Sequence, residues 1–351
     1  LSLGLRLDSI PEHHASIGFS KATPLLGKKS APSTLSTMTR SPSDRQLSRR
    51  NLLKQTCLLG SIFALPQFRI HARERDWRDR IALSSSTFRS RFKSTQSGTE
   101  SGKAMLTLES LPQFAANRFE IRQLEYWSLH FESQERSYLD RLKTTATRAG
   151  SKLINLQIDG PYRLASPNKE KRTESINKVK RWIDVASYLG MPSARANPGK
   201  GDFESVIQSF KELNQYAKSK GVLLLTENHF GMETDPAVHL RIHDEINDKE
   251  FKLIPDFGNY HSNLARYEAL AQIMPLAHLV SAKVMDLDKH FQHTTFDYNR
   301  CLEIATQSEF SGVFSIEQWS KKTVPHPPEE VVDWAVKQIV LHLELSNQSK
   351  R

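Results

Sequence analysis

Cysteine is almost missing from this chain: 2 residues in 351, Cys57 and Cys301. Two thiols at that separation make no disulfide framework, so the fold must rest on an apolar core, and Cys301, beside Leu302 and Ile304, reads as a buried inert thiol. Long apolar runs are missing too. The most apolar early stretch, Cys57 to Pro66, falls far short of the roughly 20 residues that span a bilayer, so no stable membrane span is expected. No Gly-rich phosphate fingerprint follows the first expected strand, which counts against a dinucleotide-binding open sheet. Finally, the body lacks an excess of either charge. The formal net charge is +10, but residues 1–100 carry 17 Lys and Arg against 7 Asp and Glu, which leaves 32 of each sign beyond. The basicity belongs to the first hundred residues and gives no support to a nucleic-acid surface.

What that basic stretch does contain is Ser48-Arg49-Arg50-Asn51-Leu52-Leu53-Lys54, followed by the modest apolar run. Adjacent arginines, apolar residues and a lysine in this order match a twin-arginine export signal, which implies the twin-arginine machinery as a partner and a periplasmic or otherwise exported destination. Residues 1–79 are read as this leader, with translation expected to start at Met38. No small-x-small cleavage site stands out; a cut near Ala72 is one position for it.

From about residue 80 a different pattern repeats. Amphipathic stretches end at glycine and a short apolar run follows, at Gly150, Gly190, Gly221 and Gly312. Glycine just past a helix accepts the left-handed conformation that ends it, and a buried parallel strand then begins. The helical faces have the right period, as in Val206, Phe210, Leu213 and Ala217, or Ile176, Val179, Ile183 and Ala186. With further strands at Ile81–Ser86, Ile121–Trp127, Phe251–Asp256 and His278–Val284, eight strands alternate with helices. That alternation predicts an α/β fold, a (βα)8 TIM barrel over residues 80–346, with a doubly wound open sheet as the alternative.

In such barrels chemistry gathers at the C-terminal strand ends. Here the fifth strand ends in Thr226-Glu227-Asn228-His229, the sixth in Pro255-Asp256-Phe257-Gly258-Asn259, the seventh in Ser281-Ala282-Lys283-Val284 and the eighth in Ile316-Glu317-Gln318-Trp319. Three carboxylates on three of these ends, Glu227, Asp256 and Glu317, would repel one another at the mouth. A divalent cation is the usual way to hold such a group ionised, with an oxygen-rich shell favouring Mg²⁺ or Mn²⁺ and an added histidine favouring Co²⁺ or Zn²⁺.

The segments ENH at Glu227–His229, PDFGN at Pro255–Asn259, SAKVMDLD at Ser281–Asp288 and FSIEQ at Phe314–Gln318 together resemble the sugar phosphate isomerase/epimerase group of xylose-isomerase-like barrels. The resemblance extends over roughly residues 80–345 and includes the EYW of the second strand. It implies Glu227, Asp256 and Glu317 as metal ligands. It departs on strand seven, where the family's frequent His-x-Lys appears as Ser281-Ala282-Lys283. His290 and His293, in the following loop, are candidates to replace the missing imidazole.

The resemblance also implies a carbohydrate isomerase or epimerase that shifts a proton next to a carbonyl, with lyase chemistry on an oxidised sugar a related outcome. Glu227 and Glu317 would act as acid or base on opposite faces of the substrate. Lys283 would add a fixed positive charge, or pair with Asp286 or another carboxylate of the mouth. His229, Asn197, Asn259 and Trp127 are candidate contacts to the sugar, and His130 and Trp319 lie near enough to join an aromatic wall. For an exported enzyme the expected substrate is a free sugar, a cyclitol or a glycoside-derived compound. A non-catalytic sugar-binding barrel and a metal-dependent apurinic endonuclease-like phosphodiesterase are the alternatives, and oligomer formation is left open.

Overall fold

The computed structural model describes residues 76–96, 105–308, 310–320 and 325–349. The twin-arginine pattern, Met38, Ala72 and Cys57 lie outside the described residues. Eight parallel strands are present: β1 Ile81–Ser84, β2 Gln123–Trp127, β3 Lys152–Ile158, β4 Ser193–Ala196, β5 Leu223–Glu227, β6 Lys252–Ile254, β7 Leu279–Val284 and β8 Val313–Gln318. They pair in the order β6-β5-β4-β3-β2-β1-β8-β7. Between β6 and β7 the ladder shrinks to single bridges, Leu253 with Ala277 and Asp256 with Ser281, which close the barrel. No described helix is long and apolar enough to cross a membrane.

Helices cover the outside: α1 Leu111–Phe119, α2 Arg136–Arg148, α3 Lys169–Leu189, α4 Phe203–Ser219, α5 Pro236–Ile246, α6 Asn263–Ile273, α7 Tyr298–Gln307 and α8 Pro328–Ser349. Side chains alternate along each strand, so Leu224, Leu253, Val280, Ala282, Val284, Phe314 and Ile316 join the core under the helices. Helix faces such as Val206, Phe210 and Leu213 of α4 meet them there, as their spacing predicts. Asp202, Ser262 and Asp297 accept backbone N–H bonds at the starts of α4, α6 and α7, which sets where each loop from the barrel mouth ends.

Three local expectations are corrected. The first strand stops at Ser84 rather than Ser86, because Ser85–Arg91 turn into 3₁₀ helix. Gly150, Gly190 and Gly221 do take the left-handed conformation, with φ of 64°, 74° and 69°, but Gly312 is not among the positive-φ glycines. A side chain there would approach the His278 carbonyl oxygen to 2.5 Å, so close packing is what calls for glycine. The sixth strand is also shorter than expected, three residues, since the chain turns at Pro255.

The inward side chains change character with height. At the lower end Leu225, Ile254 and Leu279 pack with Ile154, Leu223 and Val313. Above them the interior is polar. Glu125 accepts hydrogen bonds from Asn155 Nδ2 at 2.5 Å and Ser315 Oγ at 2.6 Å, and Ser193 Oγ donates to Asn155 Oδ1 at 2.8 Å. Burial pushes the Glu125 carboxyl up to about 7, against these hydrogen bonds, which favour its charged form.

Two outcomes follow for stability. Gly201 has φ 156°, and an added Cβ would lie 1.7 Å from the Ala165 carbonyl oxygen, whereas nothing lies within 4 Å of a Cβ at Gly190. In urea melts Gly201→Ala should cost about 2–3 kcal/mol or more, and Gly190→Ala about 1 kcal/mol from its left-handed backbone alone. The Glu125 carboxyl binds its proton more tightly folded than unfolded. Its contribution is therefore complete below the ordinary value of 4.5 and is lost as pH rises through about 7. Melts at pH 5 and pH 8 should show Glu125→Gln gaining on the wild type as pH rises; a difference independent of pH would contradict this.

Candidate active site at the barrel mouth

The alternation that buries Leu225 in the lower layer brings Glu227 into the barrel at the C-terminal end of β5. The same step places Lys283 above Ser281 on β7 and Glu317 above Ser315 on β8. All four strand ends singled out in the sequence do meet. Lys283 Nζ lies 2.9 Å from Asp256 Oδ2, 3.2 Å from Glu317 Oε1 and 3.1 Å from Asn259 Oδ1. The ammonium thus pairs with two carboxylates, donates a hydrogen bond to Asn259 and is nearly fully buried. Asp286, the other partner weighed for this lysine, is not one of these three.

Asp256 is engaged at both oxygens. Its Oδ1 accepts from the Gly258 and Asn259 backbone N–H groups at 2.7 and 3.0 Å, and its Oδ2 accepts from Ser281 Oγ at 2.6 Å and pairs with the Lys283 ammonium. Asn228 holds the Asp256 backbone from the side, accepting from its N–H at 2.7 Å and donating to its carbonyl at 3.1 Å. Burial opposes the charge on Asp256, but the Lys283 ammonium and the hydrogen bonds around it outweigh that and hold the carboxyl below the usual range.

The remaining carboxylates are served by a residue that the sequence reading passed over. Arg195 of β4 puts Nε 3.0 Å from Glu227 Oε2, while its two terminal nitrogens reach Asp159 at 2.6 and 3.2 Å. Burial drives the Glu227 carboxyl well above its ordinary value against the pull of Arg195, with Asp256 and Glu317 pushing the same way as burial. Asp159 moves the other way. Burial would raise it, yet Arg195, His229 and the Trp127 Nε1–H bond at 2.7 Å hold it near 2. Glu317 Oε2 accepts from Gln157 Nε2 at 3.2 Å.

A cavity of about 400 Å³ opens over this cluster. Trp127, Trp319, Tyr162 and Phe230 give it aromatic walls, and Gln157, Asp159, Arg195, Asn197, His229, Lys283 and Glu317 supply polar groups. Of the three carboxylates expected at the mouth, Glu317 alone lines the cavity; Glu227 and Asp256 pair with Arg195 and Lys283, which do line it. Both amide atoms of Asn197 are shielded from solvent without a hydrogen-bond partner among the described residues, so this side chain is poised for a ligand. His229 is held neutral, near 4, by burial and by Arg195. Phe230 sits at the rim with φ 51° and is largely exposed. Trp127 and Trp319 meet edge to face at 5.9 Å, and Arg89 covers Trp319 at 4.3 Å.

Other candidates have structural partners. Asn259 donates to Glu227 Oε1 at 3.3 Å and accepts from Lys283, tying the cluster together without lining the cavity. His130 stacks on Phe92 at 3.7 Å between the Ser85 and Thr95 hydroxyls. His293 accepts from the Met285 N–H at 3.0 Å, and the pocket walls include neither it nor His290. Asp159 and Arg195 were missed because they pair across strands, although Arg195 as the only charged side chain in Ser193-Ala194-Arg195-Ala196 was a signal.

The donor set does not fit a divalent metal. Both Asp256 oxygens already accept hydrogen bonds, Ser281 turns its hydroxyl hydrogen toward that carboxylate, and the space between Asp256 and Glu317 is spanned by an ammonium. Among the described residues no group of three or more His, Cys, Asp or Glu side chains is placed to hold a metal ion.

Comparison with curated proteins finds no match. Among solved structures, an L-ribulose 3-epimerase superposes with a TM-score of 0.61 at 14% identity, covering 77% of this chain and 96% of its own. A D-tagatose 3-epimerase-like protein gives 0.57 at 15% identity, covering 78% and 100%. A xylose isomerase-like TIM barrel protein from Mycobacterium smegmatis in complex with magnesium gives 0.55 at 14% identity, covering 75% and 97%. At these identities the likeness is one of fold. The family described as xylose isomerase-like TIM barrel matches residues 115–340, and with eight parallel strands and their covering helices in place the chain belongs to that family.

Proposed function

We propose that this barrel is a carbohydrate isomerase or epimerase that shifts a proton next to a carbonyl. The observation that carries this reading is the pairing of Glu317 and Lys283 at 3.2 Å on the wall of an aromatic-lined cavity at the barrel mouth. A pocket of this size suits a monosaccharide or cyclitol, whose apolar ring face packs on indole while its hydroxyls reach the polar groups. Sugar epimerases among the structures of the same fold point the same way.

Glu317 and Asp159 are the carboxylates on the cavity wall; Asp159 is held by Arg195 and Trp127, and Glu317 serves as the base. Lys283 places a fixed positive charge beside the oxygen on which negative charge develops. Neutral His229, on a different wall, can donate a hydrogen bond to a hydroxyl or return a proton. Glu227, whose charged form burial disfavours, pairs with Arg195 and accepts from Asn259, so its part is positioning. Asn197 and Trp127 bind the sugar. Expected variants differ accordingly. Glu317→Gln should lower kcat by about 10²–10⁴ with KM little changed, as loss of a general base does, while circular dichroism stays native. Glu227→Gln should cost less in kcat and more in KM. A Glu317→Gln protein as active as the wild type would sink the assignment.

A second reading has one observation in its favour. Since Glu227, Asp256 and Glu317 all sit in ion pairs, the cavity would also serve a sugar-binding barrel without turnover. Asn197→Ala should weaken sugar binding by about tenfold in calorimetry under either reading, the cost of one or two hydrogen bonds. Turnover separates them: solvent deuterium incorporated at a carbon next to the sugar carbonyl belongs to the enzyme alone.

Export is part of the proposal, on the strength of Ser48–Lys54. The protein would then meet free sugars rather than phosphorylated ones. Replacing Arg49 and Arg50 together by Lys should retain the protein in the cytoplasmic fraction; unchanged secretion would remove this element.

A further inference from the structure

We infer that Lys283 and Arg195 together stand in for the divalent cation that a mouth of three carboxylates otherwise calls for, so that this site is built to work without a bound metal. Glu227, Asp256 and Glu317 converge from β5, the β6 end and β8, and converging carboxylates need positive charge among them. Two side chains supply it. Lys283 spans Asp256 and Glu317, and Arg195 lies on Glu227 and Asp159. Their summed charge of two equals that of one divalent ion. The fit is also one of position, because the ammonium lies 2.9–3.2 Å from Asp256 Oδ2, Glu317 Oε1 and Asn259 Oδ1 and donates a hydrogen bond to the last.

Ser281 completes the exchange. A metal-binding side chain at this position on β7 would direct a lone pair toward Asp256 and the ion, whereas the serine hydroxyl donates to Asp256 at 2.6 Å. With the two Asp256 oxygens already accepting from Gly258, Asn259 and Ser281 and paired with Lys283, a metal would have to displace donors and lie beside the ammonium, which would repel it. The trade has a chemical consequence. A side-chain ammonium is fixed by its strand and has no vacant coordination position, so it steadies charge on a substrate oxygen without binding that oxygen as a ligand.

The inference concerns the same cavity as the proposed activity but is read from metal content, so either can fail while the other stands. Full-length wild-type protein is dialysed against chelator, incubated separately with Mn²⁺, Mg²⁺, Co²⁺ and Zn²⁺, passed through a desalting column and analysed for bound metal, with thermal melts before and after. Each metal should remain far below one ion per chain, and the melting temperature should not move. About one ion per chain with a melt raised by several degrees would overturn the inference. In the double variant Ser281→His with Lys283→Ala, Mn²⁺ or Co²⁺ should instead bind at about one per chain. If that variant folds by circular dichroism and still binds no metal, the inference also fails. If it does not fold, the wild-type measurement decides.

Discussion

Charge inside a barrel must be matched there, and that requirement organises the upper half of this molecule. The charged side chains at the strand ends of β4 to β8 are buried, and an unpaired carboxylate there would be costly. Each acidic group therefore arrives with its own donors: Asp256 with two backbone N–H groups, a hydroxyl and an ammonium, Glu317 with Lys283 and Gln157, and Asp159 with Arg195 and Trp127. The polarity of the interior rises with height, from Leu225, Ile254 and Leu279 through the Glu125, Asn155 and Ser315 layer to the ionic cluster. The apolar layer fastens the barrel and the polar layers aim the side chains above it.

This matching divides the acidic groups by task. Carboxyls engaged at both oxygens, such as Asp256, are fixed in place. Glu317 keeps lone pairs free on the cavity wall, and Asn197 presents an amide with no partner among the described residues. In the proposed activity the reactive positions are those the network leaves incompletely bonded, and the others hold these in place.

Much of this was legible in the sequence, for identifiable reasons. Left-handed glycines at 150, 190 and 221 mark helix ends by a local steric rule, so the βα rhythm shows without any long-range knowledge. Glu227, Asp256, Lys283 and Glu317 were found because each follows an apolar strand directly. How they share charge was not legible. Arg195 reaches Asp159 and Glu227 across 36 and 32 residues of chain, and no periodicity encodes which of several cations takes which carboxylate. Gly312 misled for a related reason: its close neighbour, the His278 carbonyl, is distant in sequence.

The ladder between β6 and β7 is the barrel's thinnest seam, with a few main-chain bonds such as Ser281 N–H to Pro255 and Phe257 N–H to Ser281. Across that same seam lie the contacts of Asp256 with Ser281 and Lys283. The staves are hooped where the chemistry sits. A lineage exploring new reactions at this mouth would have to replace the fastening along with the reactive group, which ties the evolvability of the site to the integrity of the cylinder.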